Sequence, residues 1–230
     1  MAQWTPTQEW AQQDAVIIGG GSSLAKFDFQ SLRGRNTIGC NDAFRLGPEI
    51  VKVCLFGDAS WFHRNKWDLE QFTGRVATLA PSLYSIKIPW LLTLTRSRDG
   101  LHTDGTIGWN HSTGAAAVNL ALSMGAVRIF LLGFDMCRRP DGRTHWHNHN
   151  PKPVQDESYR KFLKGFKQVE HGLGKFPGAR IFNVTDGSSQ LPYFAKMGFE
   201  TFIKYVPPQN RVPCIRCQKR KEQAQELARV

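Results

Sequence analysis

The sequence predicts an α/β fold: a Rossmann-like three-layer sandwich around a mostly parallel sheet, forming one domain with a basic C-terminal tail. Three observations lead there. Short apolar runs rich in β-branched residues, such as Ala15 to Ile18 and Val127 to Leu132, stop abruptly at glycine or aspartate, as strands buried on both faces do. Between such runs lie segments long enough for helices, and that alternation points to parallel strands joined by crossovers. The chain has 230 residues, 41% of them hydrophobic, which suffices for one good core. The expected organisation is an N-terminal extension over 1–14, a Rossmann-like domain over 15–206 and a basic tail over 207–230.

The organising stretch is Ala15-Val16-Ile17-Ile18-Gly19-Gly20-Gly21-Ser22-Ser23-Leu24, a strand that runs into a glycine-serine loop. Glycine allows positive φ and lets backbone N–H groups turn toward an anion, and a following helix N-terminus adds to the attraction. The loop is a candidate nucleotide or phosphate site, with a plain strand-to-helix turn as the alternative. Leu24 stands where the last glycine of G-x-G-x-x-G would be, and no Walker lysine follows.

Next in order, Phe27 to Leu32 reads as a short helical turn, and Asn36 to Cys40 as a strand ending at Asn41-Asp42. Val51 to Phe56 is a third strand, closed by Gly57-Asp58. A helix over about 59–72 buries Trp61, Phe62, Leu69 and Phe72, and Arg75 to Ala80 is a strand stopped by Pro81. The glycine- and charge-rich region 82–110 reads as a long functional loop or lid. Ser112-Thr113-Gly114 then opens an alanine-rich helix, with Ser112 or Thr113 as its N-cap. Val127 to Leu132 is the plainest buried strand and ends at Gly133-Phe134-Asp135. A histidine-rich loop leads to a helix over about 154–172, and Ala179 to Val184 is the last strand, followed by Thr185 and Ser188.

The formal charge of +11 favours anionic partners: nucleotides, acidic sugars or nucleic acid. Much of the excess lies between Arg211 and Arg229, so nucleic-acid or protein binding through the tail is one reading and plain solubility the other. Five scattered cysteines suit reduced thiols better than a disulfide framework. Cys214 and Cys217 form half of a zinc knuckle that lacks its second pair. No run approaches the roughly eighteen apolar residues of a membrane span, and 1–14 shows no basic-then-apolar leader, so a cytoplasmic protein is expected.

Ser22 and Ser23, Asn41 and Asp42, Asp58, Asp135, and Thr185 with Ser188 all follow the carboxyl end of an expected strand. In open parallel sheets ligands bind along that edge, which makes it the expected small-molecule site. The loop Thr144-His145-Trp146-His147-Asn148-His149 adds three imidazoles at alternate positions, which share one side of an extended chain. They could supply a base of near-neutral pKa, contact substrate, gather a metal, or be exposed by chance. Trp109, just before the Asn110-to-Gly114 block, is either core or a stacking platform for a base or sugar.

These blocks, in this order, make the chain resemble the bacterial sialyltransferases of glycosyltransferase family 42. It is similar too to the related 6-hydroxymethylpterin pyrophosphokinase-like domains, including short versions found in phage and prophage genomes. The resemblance rests on Ile17 to Leu24 with Asp28-Phe29, on Cys40-Asn41-Asp42-Ala43-Phe44, on Ser112-Thr113-Gly114, on Ile129 to Asp135 and on the histidine loop before the Tyr159 helix. It implies a CMP-sugar donor across the strand ends, held by Gly19, Gly20, Gly21, Ser22, Ser23, Asn41, Asp42, Asp58, Ser112, Thr113, Gly114 and Asp135. It further implies a histidine general base, with His147, His149 and His145 as candidates, and no required metal. The pyrophosphokinase relatives imply instead a magnesium-dependent diphosphotransferase with Asp58 and Asp135 as metal ligands. A non-catalytic phage accessory protein, in the host cytoplasm, is the remaining alternative.

Overall fold

The structure, a computed structural model, describes residues 2–149 and 153–205. The expected basic tail and the Cys214/Cys217 pair lie outside the described residues. Among the described residues there are eleven strands: β1 (Ala2–Gln3), β2 (Asp14–Ile18), β3 (Thr37–Cys40), β4 (Val53–Phe56), β5 (Arg75–Thr78), β6 (Leu91–Thr93), β7 (Arg96–Ser97), β8 (Ile107–Gly108), β9 (Arg128–Leu132), β10 (Arg180–Val184) and β11 (Ala195–Met197). The α-helices are α1 (Ala59–Gln71), α2 (Thr113–Ser123), α3 (Asp156–Gly172) and α4 (Phe199–Tyr205).

Nine strands form one sheet in the order β1-β6-β5-β4-β3-β2-β9-β10-β11, and every pairing in it is parallel. The chain lays strands outward from β2 to β6, then returns to add β9, β10 and β11 on the other side of β2. The strand order therefore reverses between β2 and β9, and in parallel sheets such a reversal marks the switch point where a crevice lies at the carboxyl ends of the strands.

Burial follows the two-residue period of each strand. Ala15, Ile17, Ile129 and Leu131 point to one core with α2, Phe166 and Val169. Val16, Ile18, Phe130 and Leu132 point to the other, with Trp61, Phe62 and Leu69 of α1 and Phe202 of α4. Strands clothed on both faces must be apolar at every position, hence the unbroken runs in the sequence.

One expectation fails here. Region 82–110 is not a lid: it contributes β6 to the main sheet and pairs β7 with β8, with Leu91, Leu94, Leu101 and Ile107 essentially inaccessible. Two buried asparagines tie it down. Asn119 of α2 binds the backbone of His102 and Gly108, and Asn110 binds that of Gly100 and Gly108. Buried amides satisfied by backbone groups hold irregular chain as firmly as a ladder does. The stretch 1–14, expected as an extension, packs onto the domain: β1 pairs with β6, Trp10 is buried, and Glu9 forms a two-pronged bond with Arg75. β11 and α4 were not foreseen. Cys40, Cys54 and Cys137 are free thiols, and burial pushes the Cys40 thiol up to about 12.

Candidate functional site

A cavity of about 310 Å³ opens at the β2/β9 reversal, between the loops after β2, β3, β4 and β9, the start of α2 and the histidine loop. It gathers Gly19, Gly20, Gly21, Asn41, Asp42, Asp58, Ser112, Thr113, Gly114, Asp135, His145 and His147 from segments as far apart as residues 19 and 147. Ser22, Ser23 and His149 do not line it; nor do Thr185 and Ser188.

Asp135 explains Ser22 and Ser23. Its carboxylate accepts Ser23 N–H at 2.8 Å and Ser23 Oγ at 2.5 Å, with Ser22 Oγ at 3.4 Å, all buried. The serines anchor the glycine loop to the end of β9. None of Gly19, Gly20 and Gly21 has positive φ. A Cβ at Gly19 would stand 2.6 Å from the Gly133 carbonyl oxygen, and one at Gly21 would meet that oxygen at 2.6 Å and Asp135 Cγ at 2.7 Å. Close approach of two backbones requires glycine there. The N–H groups of Gly19, Gly21 and Ser23 are spent on Leu132 O, Gly133 O and Asp135.

The other carboxylates also have structural work. Asp58 Oδ1 caps α1 by accepting the N–H groups of Ser60 at 2.7 Å and Trp61 at 3.3 Å. Asp42 accepts Trp61 Nε1 at 3.1 Å and pairs with Arg45 at 3.6 Å. Oδ1 of Asp58 and both oxygens of Asp135 thus accept from internal donors. Among the described residues no group of three or more His, Cys, Asp or Glu is placed to hold a metal ion.

The anion-seeking element of the site is α2. Ser112 is its N-cap, accepting Ala115 N–H at 3.4 Å, and Thr113 and Gly114 of its first turn line the cavity. The first-turn N–H groups and the positive end of the helix dipole face ligand space there. Gly114 is glycine because the Phe134 ring would lie 2.1 Å from a Cβ. Trp109 also lines the cavity, lying against Gly57 with Arg96 stacked on it at 4.7 Å.

Local strain is concentrated here. Among non-glycine residues with positive φ, Asn41 (51°), His111 (52°) and Met136 (55°) line the cavity, and buried Asn110 (49°) adjoins it. Such conformations cost about 1–3 kcal/mol each and collect at functional sites. Two lining residues also carry buried polar atoms with no partner among the described residues: Asn41 Oδ1 and the Tyr159 hydroxyl. Burial pushes the Tyr159 hydroxyl up to about 12, so it stays a proton donor. Tyr159, Arg64 and His111 escaped the sequence reading, which used Tyr159 only as a landmark; a polar first turn after the histidine loop was the available signal.

The histidine loop is fastened by Trp146, whose backbone N–H donates to Gly20 O and whose indole donates to Gly19 O, each at 3.0 Å. The rings of His145, His147 and His149 follow one another at 5.3 and 5.4 Å, but His149 is exposed. Burial lowers the His147 pKa to about 4 despite Asp42, and burial also lowers that of His145. Both rings are therefore neutral at pH 7. His147 Nδ1 accepts the His149 N–H at 3.3 Å, while His145 Nδ1 lies 2.9 Å from Thr144 Oγ1, which can orient that ring. Such tautomers follow from hydrogen-bond partners.

No protein-family model matches the chain, and no curated protein sequence matches it. Among solved structures it is similar to the α-2,3-sialyltransferase of Campylobacter jejuni in apo form. Identity there is 15% and the TM-score 0.51, with 96% of this chain and 99% of that one covered. It is similar as well to the sialyltransferase CstII of Campylobacter jejuni in complex with cytidine-5'-monophosphate, at 13% identity and a TM-score of 0.51, over 93% and 98% of the two chains. At such identities the likeness is one of fold.

Proposed function

We propose that the chain is a glycosyltransferase-like enzyme, sialyltransferase-like in its use of a CMP-sugar donor. The observation that carries this is the pair of buried polar atoms without a partner among the described residues, Asn41 Oδ1 and Tyr159 OH, in the one cavity that the α2 N-terminus also lines. A buried acceptor without a donor costs about 1–3 kcal/mol, and a nucleotide's exocyclic amine or ribose hydroxyl would relieve it at Asn41. The Tyr159 hydroxyl and the first turn of α2 would receive the phosphate, in place of the glycine loop. Shared fold with a structure crystallised with cytidine-5'-monophosphate supports the choice of nucleotide.

The base is placed in the His145–His147 pair. A neutral imidazole takes the proton of an acceptor hydroxyl as its oxygen attacks the anomeric carbon. The bond from that carbon to the phosphate oxygen breaks, and CMP leaves with the electron pair. His149 has no part in this. For His147 to act through Nδ1, its 3.3 Å bond to the His149 N–H must yield; His145 has Thr144 to orient it.

A thermal-shift panel of CMP, CMP-sialic acid, UDP-sugars, ATP and GTP, each with and without magnesium, tests the proposal. A ligand at a hundred times its Kd raises stability by about 2.7 kcal/mol. The expected result is a magnesium-independent shift with the cytidine nucleotides, lost in Asn41→Ala. A shift confined to ATP with magnesium, or none at all, overturns it.

A further inference from the structure

Trp146 pins the histidine loop to the glycine loop, and its own ring is seated by aromatics outside the cavity. Phe29 lies 4.7 Å from it, centroid to centroid, tilted by 46°. Phe27 stands edge-on to Phe29 at 5.4 Å, and Phe199, the first residue of α4, stands edge-on to Phe27 at 5.1 Å. On its other side the Trp146 ring meets His147 at 4.7 Å and 90°. The rings thus run in one file from α4 to the imidazole: Phe199, Phe27, Phe29, Trp146, His147. The first four pack against the core that holds α1 and α4, and none of them lines the cavity.

Separations and tilts of this kind are those that aromatic quadrupoles prefer, so each ring directs the next. Direction matters here because residues 144–149 belong to no helix or strand that would aim their side chains. The bonds of Trp146 to Gly19 O and Gly20 O fix two points. They leave the indole plane free to tilt about the line between those points, and Phe29 removes that freedom. The titratable and charged groups that act on His147 are Asp42 and Arg45 from the turn after β3, and His145 and His149 from its own loop. The file adds no charge, so it acts on the imidazole through position and through exclusion of water.

We propose that Phe29, backed by Phe27 and Phe199, is a positioning residue for His147: it seats Trp146 so that the indole holds the imidazole at the cavity. The Asp28-Phe29 pair after the glycine loop thereby divides its work. Asp28 caps its own turn by accepting the Gln30 N–H at 2.9 Å, and Phe29 reaches across 117 positions to the histidine loop. Only the task of His147 as a base rests on the transferase reading.

Long-range proton–nitrogen correlation NMR of the imidazoles in the full chain, followed from about pH 8 to about pH 5, tests this across the ordinary histidine range. His147→Asn assigns the His147 signals. In wild type His147 should stay neutral and keep one tautomer, with its proton on Nε2, because Nδ1 accepts the His149 N–H. Phe29→Leu keeps an apolar side chain at a half-buried position but removes the ring. It should let water reach His147, mix the tautomers and tighten proton binding by about tenfold. Phe29→Tyr keeps the ring and should restore the wild-type signals. Ile88→Val thins the same core away from the file and should leave them unmoved. Wild-type behaviour in Phe29→Leu overturns the proposal, as does an equal change in Ile88→Val, which would make Phe29 ordinary core. The CMP thermal shift of wild type is read separately. A Phe29 effect without any CMP shift leaves the positioning role standing and removes the transferase reading. A CMP shift without a Phe29 effect does the reverse, and absence of both removes both.

Discussion

Replacing Asp135 separates a carboxylate that holds the fold from one that holds a metal. Two of its bonds are short: Ser23 N–H at 2.8 Å and Ser23 Oγ at 2.5 Å; Ser22 Oγ at 3.4 Å is too long to add much. Bonds to a charged acceptor contribute about 1.5–3 kcal/mol each, roughly twice the neutral value. In Asp135→Asn the amide oxygen keeps the Ser23 N–H, and the Ser23 hydroxyl can turn to accept from the amide nitrogen. What is lost is the charge assistance, about 2 kcal/mol. Asp135→Ala loses both bonds and leaves a buried N–H unsatisfied, about 4 kcal/mol by the same rates. Urea unfolding followed by circular dichroism should order the variants wild type, Asn, Ala. Because Asp135 also positions Gly21, both variants should bind CMP more weakly, in proportion to their loss of stability and regardless of magnesium. An Asp135→Ala protein within 1 kcal/mol of wild type that has lost a magnesium-dependent nucleotide shift would refute this reasoning.

Two further outcomes are expected. Tyr159→Phe removes a buried hydroxyl that has no partner among the described residues, so the free protein should hold or gain stability by up to about 1 kcal/mol. CMP binding should fall about tenfold, the worth of one good hydrogen bond; thermal shift with and without CMP reads both. For His147, burial favours the neutral ring, with Asp42 opposing and His145, His149 and Arg45 reinforcing it, and the pKa falls to about 4. A base must be neutral, so a transferase working through His147 should hold its kcat/KM from pH 7 down to about pH 5 and lose half near pH 4. An acid limb near the ordinary 6.5 that vanishes in His147→Asn contradicts that burial. The stability linkage runs the same way: the unfolded chain takes the proton first, so the contribution of His147 is full above about pH 6.5 and shrinks as pH falls toward 4.

The sequence by itself determined the sheet and its functional edge. Short apolar runs such as Ile129 to Leu132 read as strands covered on both faces, and the residues that end them, Gly19, Asn41, Asp58 and Asp135, fall along one rim whatever the strand order. Those are local properties of four to six residues. The capping of α1 by Asp58 and of α2 by Ser112 was within reach for the same reason. Tertiary structure alone decided the rest, because it depends on partners distant in the chain. Asp135 meets Ser23 across 112 positions, and a Cβ at Gly21 is excluded by Gly133 and by Asp135 itself. Trp146 joins the histidine loop to Gly19 across 127 positions, bringing His145 and His147 to the cavity while His149 stays in solvent. Region 82–110 read as a loop because its anchors, Asn110 and Asn119, are polar residues whose burial no periodicity reveals. Tyr159 gave no signal for a related reason. A hydroxyl left without a partner is visible only when every neighbour that might have bonded it is in place.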